Sequence, residues 1–192
     1  MQKKFNLIKM RKIVLFSLFV IAAISLVSCK NSEEKKPESE AQKENFNVQI
    51  TASASKKDDF ALYYAEDNTV NFKGENAIWT GIKGGNIEET LKLELSEEKI
   101  PTHIRLDFGL NKDQDSVVIK KIKVSYYGNS YEFIGADFFK YFIDDKQFNT
   151  VVDTKLGTLT ILKKDGVYKT PFFYPTQLTN DNIKKITTAP KK

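Results

Sequence analysis

The chain has one cysteine, one histidine and one tryptophan among its 192 residues. A lone thiol, Cys29, leaves no partner for an intramolecular disulfide. The lone imidazole, His103, must serve any Ser-His-Asp triad, and no serine sits in a G-x-S-x-G string. One histidine on the polar face of a strand reads first as a surface residue, so no catalytic residue is assigned. A zinc site would need several carboxylates beside that histidine, and none cluster suitably, so no metal or other cofactor is expected. Long apolar runs are missing too. The longest, Ile13 to Val27, holds 15 residues and is interrupted by Ser17 and Ser25. A helix of that length, at ~1.5 Å per residue, falls short of a ~30 Å hydrocarbon core. Finally, there is no charge excess outside the N-terminus. The formal charge of +5 comes from Lys3, Lys4, Lys9, Arg11 and Lys12, and the rest of the chain balances 25 basic against 25 acidic residues. Nucleic-acid binding, which calls for a basic patch, is not expected.

What is present at the N-terminus is a basic start, a short apolar core and small residues after it, the pattern of a secretory signal peptide over residues 1–28. The run ends in Leu26-Val27-Ser28-Cys29. This string resembles the lipobox of bacterial lipoproteins. The resemblance implies lipidation of Cys29, cleavage before it, and attachment to a membrane through buried acyl chains at ~0.8 kcal/mol per CH₂. Residues 29–45 are almost entirely polar, with Ala41 the one apolar side chain after Cys29. Such a segment buries too little apolar surface to order itself and reads as a flexible tether. Lys30-Asn31-Ser32-Glu33-Glu34 resembles the acidic export signal of Bacteroidetes-type surface lipoproteins. Lys30 in place of Asp departs from the inner-membrane retention signal. The expected location is therefore the outer membrane, on its cell-surface or periplasmic face.

Residues 46–188 suit a single domain. Fourteen Phe and eight Tyr supply a sizeable core. The dominant pattern is period-2 alternation between turn residues. Phe46, Val48 and Ile50 alternate, as do Phe60, Leu62 and Tyr64 after Lys56-Lys57-Asp58-Asp59. A third strand covers about 76–83 and ends at Gly84-Gly85. Leu91, Leu93 and Leu95 share a face. After Pro101, Ile104, Leu106 and Phe108 oppose His103, Arg105 and Asp107. From Val117 to Tyr127 the period slips once near Lys120-Lys121, which predicts a β-bulge. Gly128-Asn129 predicts a two-residue hairpin leading into Ser130 to Ile134, and Asp165-Gly166 a second one between 158–162 and 167–170. Phe172-Phe173-Tyr174 reads as a last strand closing the core and stopped by Pro175, with an exposed docking patch as the alternative. Asp137 is expected to cap one helical turn carrying Phe138, Phe139, Tyr141 and Phe142. Thr179 or Asn180 is expected to cap a short helix with Ile183 and Ile186 on one face. The fold class is mostly β: an antiparallel β-sandwich or jelly roll of eight or nine strands with one or two short helices. A two-layer α+β arrangement is the alternative.

Three strings, Asp58 to Tyr64, Ile104 to Asp107 and Val118 to Val124, resemble strands of a bacterial β-sandwich module that accompanies surface-polysaccharide and glycosyltransferase proteins. That module is similar in fold to carbohydrate-binding jelly rolls, and the likeness covers about residues 46–127. A likeness of fold does not by itself fix a function; with the lipobox beside it, the expected function is a non-enzymatic, membrane-anchored cell-envelope lipoprotein that binds a glycan or an envelope protein. The candidate ligand-binding residues are Tyr63, Trp79, Arg105 and Asp107, which offer aromatic faces and hydrogen-bonding groups on strand surfaces. Two other classes stay open. A surface glycan hydrolase needs only two carboxylates, and a structural or assembly subunit of an envelope complex would show a large apolar patch. Asn111, Asp113 and Asp115 imitate the start of a calcium loop. Ser116 stands where an EF-hand needs Gly, and Ile122 where it needs Glu, so a polar connecting loop is expected.

Overall fold

The computed structural model describes residues 45–144, 150–153, 155–161 and 167–191. The signal peptide, Cys29, the tether up to residue 44 and the Asp165-Gly166 turn lie outside the described residues. Eleven strands and two short α-helices are described. In order they are β1 (Asn47–Ala54), β2 (Asp58–Ala65), β3 (Ala77–Ile82), β4 (Glu89–Glu94), β5 (His103–Phe108), β6 (Ser116–Tyr126), β7 (Asn129–Ile134), α1 (Phe138–Tyr141), β8 (Phe142–Asp144), β9 (Thr150–Asp153), β10 (Thr158–Ile161), β11 (Phe172–Pro175) and α2 (Gln177–Thr188). Among the described residues no helix is long and apolar enough to cross a membrane.

The strands form two antiparallel sheets, a β-sandwich. One runs β4-β1-β6-β10-β9, with β7 sharing the free edge of the long β6. The other runs β3-β2-β5-β11-β8. Period-2 alternation dictates what each contributes to the core. Val48, Ile50, Ile122 and Val124 point inward from the first sheet, and Phe60, Leu62, Ile104, Leu106 and Phe173 from the second. Phe138 and Phe142 complete the core from the α1 turn, with Phe138 ring-to-edge on Phe108 and Phe173.

The bulge lies where the alternation slips. Thr51 pairs with Lys121 and Ala52 with Ile119, so Lys120 is the extra residue. The backbone there is approached closely from outside. A Cβ on Gly135 would stand 1.7 Å from the Ile119 carbonyl oxygen, and Gly157, at φ +65°, accepts the Ile119 N–H. Glycine is needed at 135 for want of space and at 157 for its left-handed backbone as well.

Several local expectations differ. The β6–β7 turn is Tyr127-Gly128, at φ 44° and 75°, with Asn129 already paired to Tyr126 in the ladder. Asn129 is drawn into the strand because its amide donates to the Pro190 carbonyl, while Tyr127 packs on Tyr126 beneath the Lys191 ammonium. Asp137 makes no capping bond; its carboxylate pairs with Lys140, and Phe142 leaves the turn to begin β8. The C-terminal helix starts at Gln177, before Thr179 and Asn180. Its threonines do not cap it: Thr176 and Thr179 both donate their hydroxyls to the Tyr141 carbonyl and tie α2 to the end of α1. Ile183 and Ile186 do face the core. Of the strand expected at 167–170, the structure keeps only an isolated bridge at Val167. Strands β8 and β9 were hidden by their three- and four-residue lengths, too short to display a period.

Candidate functional site

The outer face of the second sheet gathers a group of aromatic side chains that the core does not take. Register puts Trp79, Ala61, Asp107 and Phe172 in one row across β3, β2, β5 and β11. The next row holds Tyr63 opposite Arg105, with Tyr174 beside Ile143 further along. Phe72, from the β2–β3 connection, lies 5.9 Å from the Tyr174 ring. Tyr63 meets Trp79 edge-on at 6.1 Å, and Phe172 meets Tyr174 at 5.5 Å. Trp79 is 42% exposed and Ile143 54%, while the other four rings are half-buried. The result is a broad aromatic platform open to solvent along the Trp79 and Ile143 sides.

All four residues expected at a ligand site, Tyr63, Trp79, Arg105 and Asp107, thus meet on this face. Their roles divide. The Arg105 guanidinium lies over the Tyr63 ring at 4.1 Å and the Phe172 ring at 4.7 Å. It donates two bonds to Asp107, from Nε at 2.8 Å and from Nη2 at 2.9 Å. Both side chains are mostly covered, at 14% and 6% exposure. Burial raises the Asp107 carboxyl above its ordinary value, and the Arg105 bonds oppose that rise. The pair is a charge-neutral keel beneath the rings, and the rings form the surface a ligand would meet. Phe72, Phe172 and Tyr174 were missed as members of this face. The signal was there in the alternation of Phe172-Phe173-Tyr174, which buries the middle ring in the core and turns the outer two to the platform.

A cavity of about 450 Å³ lies at the His103 end of β5, between the β4–β5 connection and α2. His103, Arg105 and Asp107 project from one face of β5, so the cavity adjoins the platform. Two of its eleven lining residues, Ile100 and Pro101, are apolar. The His103 Nδ1 is 3.1 Å from the Thr102 hydroxyl. Asp181, the one carboxylate in the lining, accepts a bond from Gln177 at 2.8 Å. His103 is therefore not held between a nucleophile and a carboxylate.

The Asn111-Asp113-Asp115 loop is organised from within the protein. The buried Asp58 carboxylate accepts from the backbone of Asp59, Leu110 and Asn111 and from the Gln114 amide. Asn111 donates to the Lys57 carbonyl and accepts from the Asp113 N–H, so its oxygen is engaged in the turn. Among the described residues no group of three or more His, Cys, Asp or Glu is arranged to hold a metal ion. No family model matches this chain, no curated protein matches it, and no solved structure matches it.

Proposed function

We propose that the chain is a non-enzymatic lipoprotein of the cell envelope, anchored in the outer membrane by lipid on Cys29, that binds a glycan on the outer face of its second sheet. The observation that carries this reading is the platform of Tyr63, Phe72, Trp79, Phe172 and Tyr174 on a rigid sheet. Sugar rings offer apolar C–H faces that stack on aromatic surfaces, and their hydroxyls need a few fixed polar groups at the margin. The Arg105–Asp107 pair supports the rings without presenting net charge, which favours a neutral ligand over a charged one.

The hydrolase alternative draws less support. Glycoside hydrolysis uses two carboxyl groups flanking the bond, whereas the cavity lining offers Asp181 and the platform offers Asp107, closed by Arg105. The same platform is the observation that favours an envelope protein as the second choice of ligand, since contiguous aromatic faces also serve protein docking. A glycan-array screen tests the proposal. Binding that is lost in Trp79→Ala and Tyr63→Ala is the expected result. Absence of binding to every glycan, with retention of an envelope protein by the purified chain, would turn the assignment to that second ligand.

A further inference from the structure

The edges of the two sheets are not equally protected. An edge strand leaves a row of N–H and C=O groups open, and charges, prolines, bulges or short length normally keep other chains off it. Strand β4 carries Glu89, Lys92 and Glu94, with Lys92 paired to Glu94. Strand β8 has three residues, and β9 has four and ends on Asp153. Strand β7 carries Glu132 and lies against α2. Strand β3 has none of these devices. Its sequence, Ala77-Ile78-Trp79-Thr80-Gly81-Ile82, holds no charge and no proline, and its register with β2 runs through all six residues without a bulge. Among the described residues no strand pairs with its other side.

The strand is also complementary to itself. Residues opposite one another across an antiparallel pair share a face. Two copies of β3 related by a two-fold axis can therefore centre on Trp79 or on Thr80. Centring on Trp79 sets each indole against its own copy. Centring on Thr80 sets each Trp79 opposite the other copy's Gly81. Gly81 is exposed, and a Cβ there would have only Asp58 and Asp59 within 4 Å, so the space outside it is open. An aromatic side chain laid over an edge glycine fills the gap that the missing side chain leaves. On the inner side the same register sets Thr80 against Thr80 and Ile78 against Ile82, a hydroxyl pair and an apolar pair. With no charge on the strand, self-pairing brings no like charges together.

We propose that β3 is the edge through which two copies of this chain pair, antiparallel and centred on Thr80. The contact is isologous, since the same strand serves both sides. Its axis stands perpendicular to the sheet, so the aromatic platforms of the two copies lie on one side and meet at the seam. Each Trp79 crosses to the other copy's Gly81, and the two platforms become one surface. The pairing does not depend on whether that surface takes a glycan or an envelope protein.

Cysteine cross-linking of the full chain, in the cells that make it, tests both the partner and the register. Residues directly opposite in an antiparallel pair have Cα atoms about 5 Å apart, within disulfide reach. Diagonal neighbours, at roughly 7–8 Å, are beyond it. Under copper-phenanthroline oxidation Thr80→Cys should give a band of two chains on a non-reducing gel. It should form tenfold or more faster than from Trp79→Cys, from Lys92→Cys on the charged β4 edge, or from the parent with Cys29 alone. Co-expressed Trp79→Cys and Gly81→Cys chains should join each other, whereas each alone should not; this route leaves Thr80 intact. Adding Gly81→Lys to Thr80→Cys fills the open space and should cut the cross-link tenfold or more, with the amount of chain unchanged. Cross-linking of Thr80→Cys no faster than the parent, together with failure of the co-expressed pair, would overturn the proposal. So would faster cross-linking at Trp79→Cys than at Thr80→Cys, which would put the axis elsewhere. A cross-link to a different protein would overturn the second copy in favour of a foreign strand.

Discussion

Removing Arg105 should be among the most damaging changes possible on the outer face of the second sheet. The reason is what it leaves behind. Asp107 is 5% exposed and takes both of its charge-assisted bonds from that one guanidinium. In Arg105→Ala the carboxylate is stranded, at a cost of about 3–5 kcal/mol for a broken buried pair. The lost stacking over Tyr63 at 4.1 Å adds ~0.5–2 kcal/mol. With a urea m-value of about 2 kcal/mol per M, the unfolding midpoint should fall by roughly 2 M or more. Trp79 emission, from the same face, and far-ultraviolet circular dichroism should give coincident transitions. Replacing both partners with apolar side chains, as Arg105→Met with Asp107→Leu, removes the stranded charge and should restore most of the loss. A single variant costing less than about 1 kcal/mol, or a double variant worse than the single, would refute the view of this pair as a closed keel.

Asp107 also makes a prediction in pH. Its carboxyl is held above the ordinary value by burial, so the folded state favours the neutral form more than the unfolded state does. The stability this gives is fully present below the unfolded pKa of about 3.9 and is lost as pH rises through the raised folded value. Urea midpoints should therefore shift in favour of Asp107→Asn, relative to the parent, between pH 3 and pH 7. Gly135→Ala would place a methyl group 1.7 Å from the Ile119 carbonyl oxygen, where a backbone atom has no room to yield. It should cost about 3 kcal/mol or more by thermal or urea unfolding. Trp79→Ala, at an exposed position, should change stability by less than about 1 kcal/mol while abolishing glycan binding in the array. Cys29→Ala should move the protein from the membrane to the soluble fraction and remove its lipid by mass spectrometry.

The strand core was open to reading because each inward set repeats every second residue. Phe46-Val48-Ile50, Phe60-Leu62-Tyr64 and Ile104-Leu106-Phe108 all lie in the core. The bulge was legible for the same reason, since one extra residue at Lys120-Lys121 reverses the phase. Helix starts and the β6–β7 turn were less legible because side chains that cap or turn in isolation have tertiary partners here. Thr179 reaches Tyr141, Asp137 reaches Lys140 and Asn129 reaches Pro190. At the candidate site, alternation showed that Tyr63, Arg105 and Asp107 leave the core. Register across strands was needed to bring Trp79 and Phe172 beside them, and a connecting loop supplies Phe72. The cavity had no local signature, since its walls come from the β4–β5 connection and from a helix some 75 residues later in the chain.

The measurement that bears most directly on the aromatic platform as the ligand face is iodide quenching of Trp79 with and without a glycan that the array identifies. Trp79 is the sole tryptophan and is 42% exposed, so its emission reports solvent access to the platform. Saturating glycan should shield it and lower the quenching constant severalfold, with a midpoint at the binding Kd. Quenching that stays unchanged while the glycan is demonstrably bound would put the ligand elsewhere on the molecule and contradict the assignment.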